Sequence, residues 1–133
     1  MKKSLCVILC VSAVIAQFDW QENGVPVRQG AHIEWQRTGD VGNNSEMIFV
    51  WSDTRTGGRD IYAQKVDLNG NSLWDTEGTV VVSTPGRQED PIAVSDGAGG
   101  VYVIWTDYQF EPLDGDVFAQ HVLTDGSLAW DEE

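Results

Sequence analysis

The sequence predicts an all-β chain made of two copies of one four-stranded unit, and three observations predict it. The chain repeats itself: Trp20, Trp74 and Trp130 open near-identical phases 54 and 56 residues apart. The apolar runs between them are short, bounded by turn signals, and carry no sustained helical period. The run 101–105, Val-Tyr-Val-Ile-Trp, is apolar at every position, as in a strand covered on both faces rather than one. A repeat of this size cannot bury its apolar faces without neighbours. Inner strands of a propeller blade are sandwiched by the blades on either side, so four such strands per unit point to β-propeller-type blades. A β-sandwich with accidental internal similarity is the alternative, and the number and order of matched positions weigh against it.

Residues 1–16 read as an export signal. Lys2 and Lys3 form a basic start, positions 5–15 an apolar stretch, and Val14, Ile15 and Ala16 a cleavage site, so that the mature chain begins at Gln17. The stretch is shorter than a membrane span and no second one follows, which predicts a secreted product, extracellular or periplasmic. Acylation at Cys10 is the weaker reading, because Leu9 before it is bulkier than lipoprotein processing accepts. The first unit, 17–73, offers strands at 25–29, 31–36, 47–52 and 61–66. The second, 74–130, offers strands at 79–83, 91–95, 101–106 and 117–123. Asn69-Gly70, Asp125-Gly126 and the segment 96–100 (Asp-Gly-Ala-Gly-Gly) supply hairpin turns, since their residues accept positive φ. Arg28-Gln29 matches Arg87-Gln88 at an offset of 59. Residues 131–133 repeat the phase of 75–77 and open a third unit. Rings of blades typically take about four to eight units. The chain therefore reads as a fragment whose further blades lie in a longer protein, or as a protomer that closes its ring as a homo-oligomer.

Eight basic residues against 21 acidic give a formal charge of −13. Loss of Lys2 and Lys3 with the signal leaves 6 against 21, or −15. Such a charge repels nucleic acid and anionic membrane, which removes both as expected partners, and it fits a solvated extracellular surface. Both cysteines, Cys6 and Cys10, lie in the signal. Core packing, without disulfides, must hold the exported part.

The order Trp-Ser/Thr-Asp, short polar loop, Asp-Ile/Val-aromatic-Ala-Gln, hairpin, Leu/Ala-Trp resembles the blade repeats of secreted bacterial β-propeller proteins. The resemblance covers essentially all of the mature chain. The spacing from Gly70 to Trp74 and from Gly126 to Trp130 is similar to the tryptophan-docking motif of quinoprotein propellers, in which the Trp packs between adjacent blades. The Asp box of sialidases is similar too, but it places Gly one residue nearer the Trp, and this chain departs from it there. What the resemblance implies is a propeller fold. A quinone site or a sialidase-like glycan-hydrolysing site would need axis-facing residues or a converging arginine cluster, and Arg28, Arg37, Arg55, Arg59 and Arg87 form no such pattern.

Residues that recur once per unit serve the unit. Trp20, Trp51, Trp74, Trp105 and Trp130, with Gln64 and Gln120, are expected to fill and tie the layers between blades, although a Trp can also stack on sugar. Asp53 and Asp107 close the strand after each Trp, and Asp60 and Asp116 open the next. Such a set supplies oxygen ligands for a metal, Ca²⁺ by preference, or two carboxylates for glycoside hydrolysis. Acceptance of turn N–H groups, or pairing with Arg55, is the weightier reading of Asp53. The segment 67–71 has alternating oxygen ligands but lacks the later bidentate Glu of a calcium loop, so a plain hairpin explains it better. No mature cysteine and no Gly-x-Ser-x-Gly elbow are present, and His32 and His121 lack zinc-helix spacing, so nucleophilic catalysis has little support. No cofactor is expected.

Where the units differ is where specific contacts are expected. The loop 107–116 is longer and more aromatic than 53–60 and names Tyr108, Phe110, Glu111 and Asp114 as ligand-binding candidates. The turn 38–46 also reads as longer than its counterpart 96–100. The functional expectation is a non-catalytic module that binds or scaffolds a protein or carbohydrate ligand at a bacterial surface or outside the cell. The alternative is part of a propeller hydrolase or quinoprotein.

Overall fold

The structure is a computed structural model that describes residues 24–30, 34–41 and 46–130. The signal segment 1–16, Trp20 and the start of a third unit at 131–133 lie outside the described residues. Among the described residues seven strands form in chain order: β1 (Glu34–Val41), β2 (Met47–Asp53), β3 (Asp60–Val66), β4 (Thr79–Val82), β5 (Gln88–Ser95), β6 (Val101–Asp107) and β7 (Asp116–Val122). They make two antiparallel sheets, β1-β2-β3-β4 and β5-β6-β7. The chain is all-β as expected, and no helix, and so none long and apolar enough to cross a membrane, occurs among the described residues.

The two sheets use one register. Met47 to Asp53 pairs residue by residue with Val66 to Asp60, and Val101 to Asp107 pairs in the same way with Val122 to Asp116. β1 and β5 carry the same irregularity, between Trp35 and Thr38 and between Glu89 and Ile92. In the second sheet the bulge holds Asp90 at φ 55, a left-handed conformation that Asp tolerates better than most residues.

Three expectations are corrected by this pairing. The strand at 79–83, read as the first of the second unit, forms β4 and bonds to β3, so it is the outer strand of the first sheet. Thr38 to Val41, read as part of a long turn, continues β1, and five residues then separate β1 from β2 just as five separate β5 from β6. The turn 38–46 is therefore not an enlarged loop. Glu34 stands opposite Asp53 where Gln88 stands opposite Asp107. Arg28-Gln29 consequently does not occupy the place of Arg87-Gln88.

Side chains alternate across a strand, so each sheet has two faces. One face of the first sheet presents Ile48, Val50, Ile61 and Ala63, and the second sheet covers it with Val101, Val103, Trp105 and Val122. Trp74, Val81 and Val82 complete this shared core. β3 lies at its centre, with all seven residues buried. Because this buried cluster draws on both sheets, neither sheet has a core of its own.

Candidate functional site

The repeated Trp-Ser/Thr-Asp triplet has a direct physical meaning. Residues two apart on a strand share a face, which sets the indole N–H of Trp51 3.3 Å from the Asp53 carboxylate and that of Trp105 3.1 Å from Asp107. The other carboxylate oxygen accepts the backbone N–H two residues on, from Arg55 at 2.7 Å and from Gln109 at 2.9 Å. Each Asp thus ends a strand, pins a ring and starts a turn.

The partners then diverge. Arg55 binds Asp53 through Nε at 2.9 Å and lies flat over Tyr62, 3.8 Å from the ring centre, while Arg28 approaches the same carboxylate at 3.7 Å. Burial works to raise the Asp53 carboxyl, and its bonds to Arg55 and Trp51 outweigh that, holding it below the usual range. Burial likewise opposes the charge on Arg55, and Asp53 overrides it and keeps the guanidinium firmly protonated. In the second sheet Gln109 replaces Arg55, and Asp107 takes the amide of Gln88 at 3.2 Å instead. One acid is ion-paired and the other is held by neutral donors.

The acidic pairs do come together, because Asp53 faces Asp60 and Asp107 faces Asp116 across their ladders. Asp60 is buried and accepts the Thr56 hydroxyl, whereas Asp116 is exposed. No group of three or more His, Cys, Asp or Glu side chains stands ready for a metal ion among the described residues. In the hairpin at 67–71 the Asp67 carboxylate accepts the N–H groups of Asn69 and Asn71 and the Asn71 amide, all within 2.9 Å. Asp125 does the same with Ser127. These bonds lower both carboxyls, the Asn71 side chain contributing most to the first and the Ser127 hydroxyl to the second.

The glutamines act as ties. Gln64 Oε1 accepts the N–H of Lys65 at 2.9 Å and of Trp74 at 3.1 Å, and Gln120 accepts those of His121 at 2.9 Å and Trp130 at 3.2 Å. Each tethers the turn bearing the next Trp to a strand edge. Trp74 is then buried between the sheets, its indole donating to Thr124 O at 3.1 Å. Trp130 lies over Tyr102 and His121 and is 47% exposed.

Of the loop candidates, Phe110, Glu111 and Asp114 are exposed, and the N–H of Asp114 closes a turn on Glu111 O. Tyr108 is engaged: its N–H donates to Arg87 O at 3.0 Å and the Arg87 guanidinium stacks 3.9 Å over its ring. What sequence reasoning missed is the junction beside it. Arg59 and Arg87 bridge backbone to backbone, both pair with Glu89, and Gly57, Gly58 and Gly86 line an open depression of about 630 Å³ there. A Cβ on Gly86 would stand 2.9 Å from Tyr108 O, so glycine is what lets the loops close up. Arg59 and Glu89 are 30 residues apart, and no local pattern signals their meeting. The arrangement supplies a loop end with a charged, hydrogen-bonding depression, and Phe110 stands exposed on the adjoining loop. No protein-family model, no functionally described protein and no solved structure matches this chain.

Proposed function

We propose that this chain is an exported, non-catalytic binding or scaffolding module whose two sheets are consecutive blades of a propeller-type ring, completed by further blades or further copies. The observation that carries the reading is how the acidic groups at the loop end are employed. Asp53, Asp60 and Asp107 each hold a ring, a turn or a hydroxyl in place, and general acid and base work calls for carboxyls with separated affinities for the proton, both open to substrate. The exposed residues Phe110, Glu111, Leu113 and Asp114 beside the Arg59, Arg87 and Glu89 depression suit contact with a ligand that is held but not transformed. The shared register of the two sheets supports their being consecutive units.

The test is a panel of polysaccharides and glycoconjugates with the purified exported chain, read for both binding and hydrolysis. Binding without product is the expected result, and the exported product should begin at Gln17. Turnover of any glycan would replace this reading with the hydrolase, and cofactor absorbance in the purified protein would replace it with the quinoprotein.

A further inference from the structure

The outer edge of β7 is built like the outer edge of β3, yet among the described residues only β3 carries a neighbour. On β3, the N–H and C=O of Lys65 face outward, to Gln64 Oε1 and to Leu73 N–H. Outward groups recur every second residue, so Ala63 and Ile61 also face out, and there β4 pairs with them. On β7, His121 makes the same two bonds, to Gln120 Oε1 and Ala129 N–H. Ala119 and Val117 therefore face outward in turn, and among the described residues no strand lies beside them. Val117 is 77% exposed where its counterpart Ile61 is 0% exposed.

A hollow adjoins this edge. A cavity of about 340 Å³ is bounded by Val81, Val82, Trp105, Phe118, Ala119 and Trp130. In the first sheet the corresponding space next to Trp51 and Ala63 is filled by the segment leading into β4. Gln64 Nε2 holds Asp75 O, and Gly78 at φ 86 lies so close that a Cβ would stand 2.7 Å from the Trp51 ring and 3.1 Å from Ala63 O. Thr79 then pairs with Ala63, Val80 with Tyr62 and Val82 with Ile61.

We propose that the β7 edge and its hollow form a strand-acceptor site for an extended segment of a second polypeptide that follows the chemistry of residues 75–82. That chemistry is a polar turn, a glycine laid on Trp105, and a short run of β-branched residues paired antiparallel to Val117, Phe118 and Ala119. Main-chain bonds supply the affinity and the hollow supplies the preference for glycine. The inference rests on the register of the two sheets and stands whether or not they belong to a ring.

The nine-residue peptide of positions 75–83 is the probe, titrated into the full chain at physiological ionic strength with amide exchange followed by residue. Saturable binding with a Kd of about 1 mM or tighter and slowed exchange at Val117 and Ala119 are expected. The same peptide with Gly78→Glu should bind at least about tenfold more weakly, a loss of about 1.4 kcal/mol. Ala119→Pro in the protein removes only an outward N–H, which an edge strand tolerates, and should weaken binding to a similar degree. The exchange measurement needs no variant and decides even where Ala119→Pro fails to fold. Absence of saturation, slowed exchange confined to β3, or indifference to Gly78→Glu would each overturn the site.

Discussion

Two aspartates in equivalent positions show how far one substitution can turn on its partner. Asp53 is wholly buried and shared by Arg55 and Arg28, whose side chains are themselves largely buried. Asp53→Asn deprives both guanidiniums of that carboxylate, and stability should fall by about 3 kcal/mol in urea unfolding at neutral pH. Among the described residues Asp107 takes neutral donors, from Gln88, Trp105 and Gln109. Asp107→Asn should accordingly cost about 1 kcal/mol. Proton linkage gives the Asp53 effect a pH dependence. Because the folded Asp53 carboxyl sits below its ordinary 3.8, the unfolded chain binds the proton more tightly. The contribution is thus complete above that ordinary value and drains away as the pH falls through the folded one. The gap between wild type and Asp53→Asn should narrow on acidification through that window. A gap that stayed constant would place the effect in packing and not in charge.

At the scale of elements, the Gln-to-Trp tie recurs while the fate of the Trp does not. Trp74 is 8% exposed in the shared core and Trp130 is 47% exposed. Truncation to alanine should cost about 3 to 5 kcal/mol at Trp74 and about 1 kcal/mol or less at Trp130. Equal losses would mean that Trp130 is covered in solution. β2, β3, β6 and β7 could be placed from the chain alone, within a residue at each end, because β2 and β6 end, and β3 and β7 begin, at an Asp beside a turn. β1 could not, because Thr38, Gly39 and Asp40 have turn composition. They are extended through pairing with β2 and through the Asp40 carboxylate, which accepts the Ser95 N–H of the other sheet at 2.7 Å. That bond, ahead of the one from Val41, lowers the Asp40 carboxyl. The membership of β4 was hidden for the same reason, since Thr-Val-Val-Val is a strand in any sheet and only tertiary pairing assigns it. At the loop end, the Asp53 turn was readable from Trp51 to Arg55, five adjacent residues. The Arg59, Glu89 and Arg87 junction was not, because sequence spacing carries no trace of a crossing between sheets.

For the whole molecule, burial is one-sided. The face holding Ile48, Val50, Ile61 and Ala63 is at most 1% exposed, while the matching face of the second sheet leaves Ile92 at 56%, Val94 at 47%, Tyr102 at 39% and Val117 at 77%. The first sheet is closed by the second, and the second lacks such a cover among the described residues. Stability therefore resides in one interface to which both sheets contribute, and neither can melt while the other keeps its core. Heating should produce a single transition, the same by tryptophan fluorescence and by far-ultraviolet circular dichroism. Val103→Ala, which thins that interface from the second sheet, should lower the whole transition by roughly 10 °C for a loss of about 2 kcal/mol. Val117→Lys, on the open face, should change stability by less than about 0.5 kcal/mol. Two separate transitions, or a Val103→Ala effect confined to part of the signal, would mean that each sheet holds itself together. A large loss from Val117→Lys would mean that a second molecule already covers that face, and the midpoint would then rise with protein concentration.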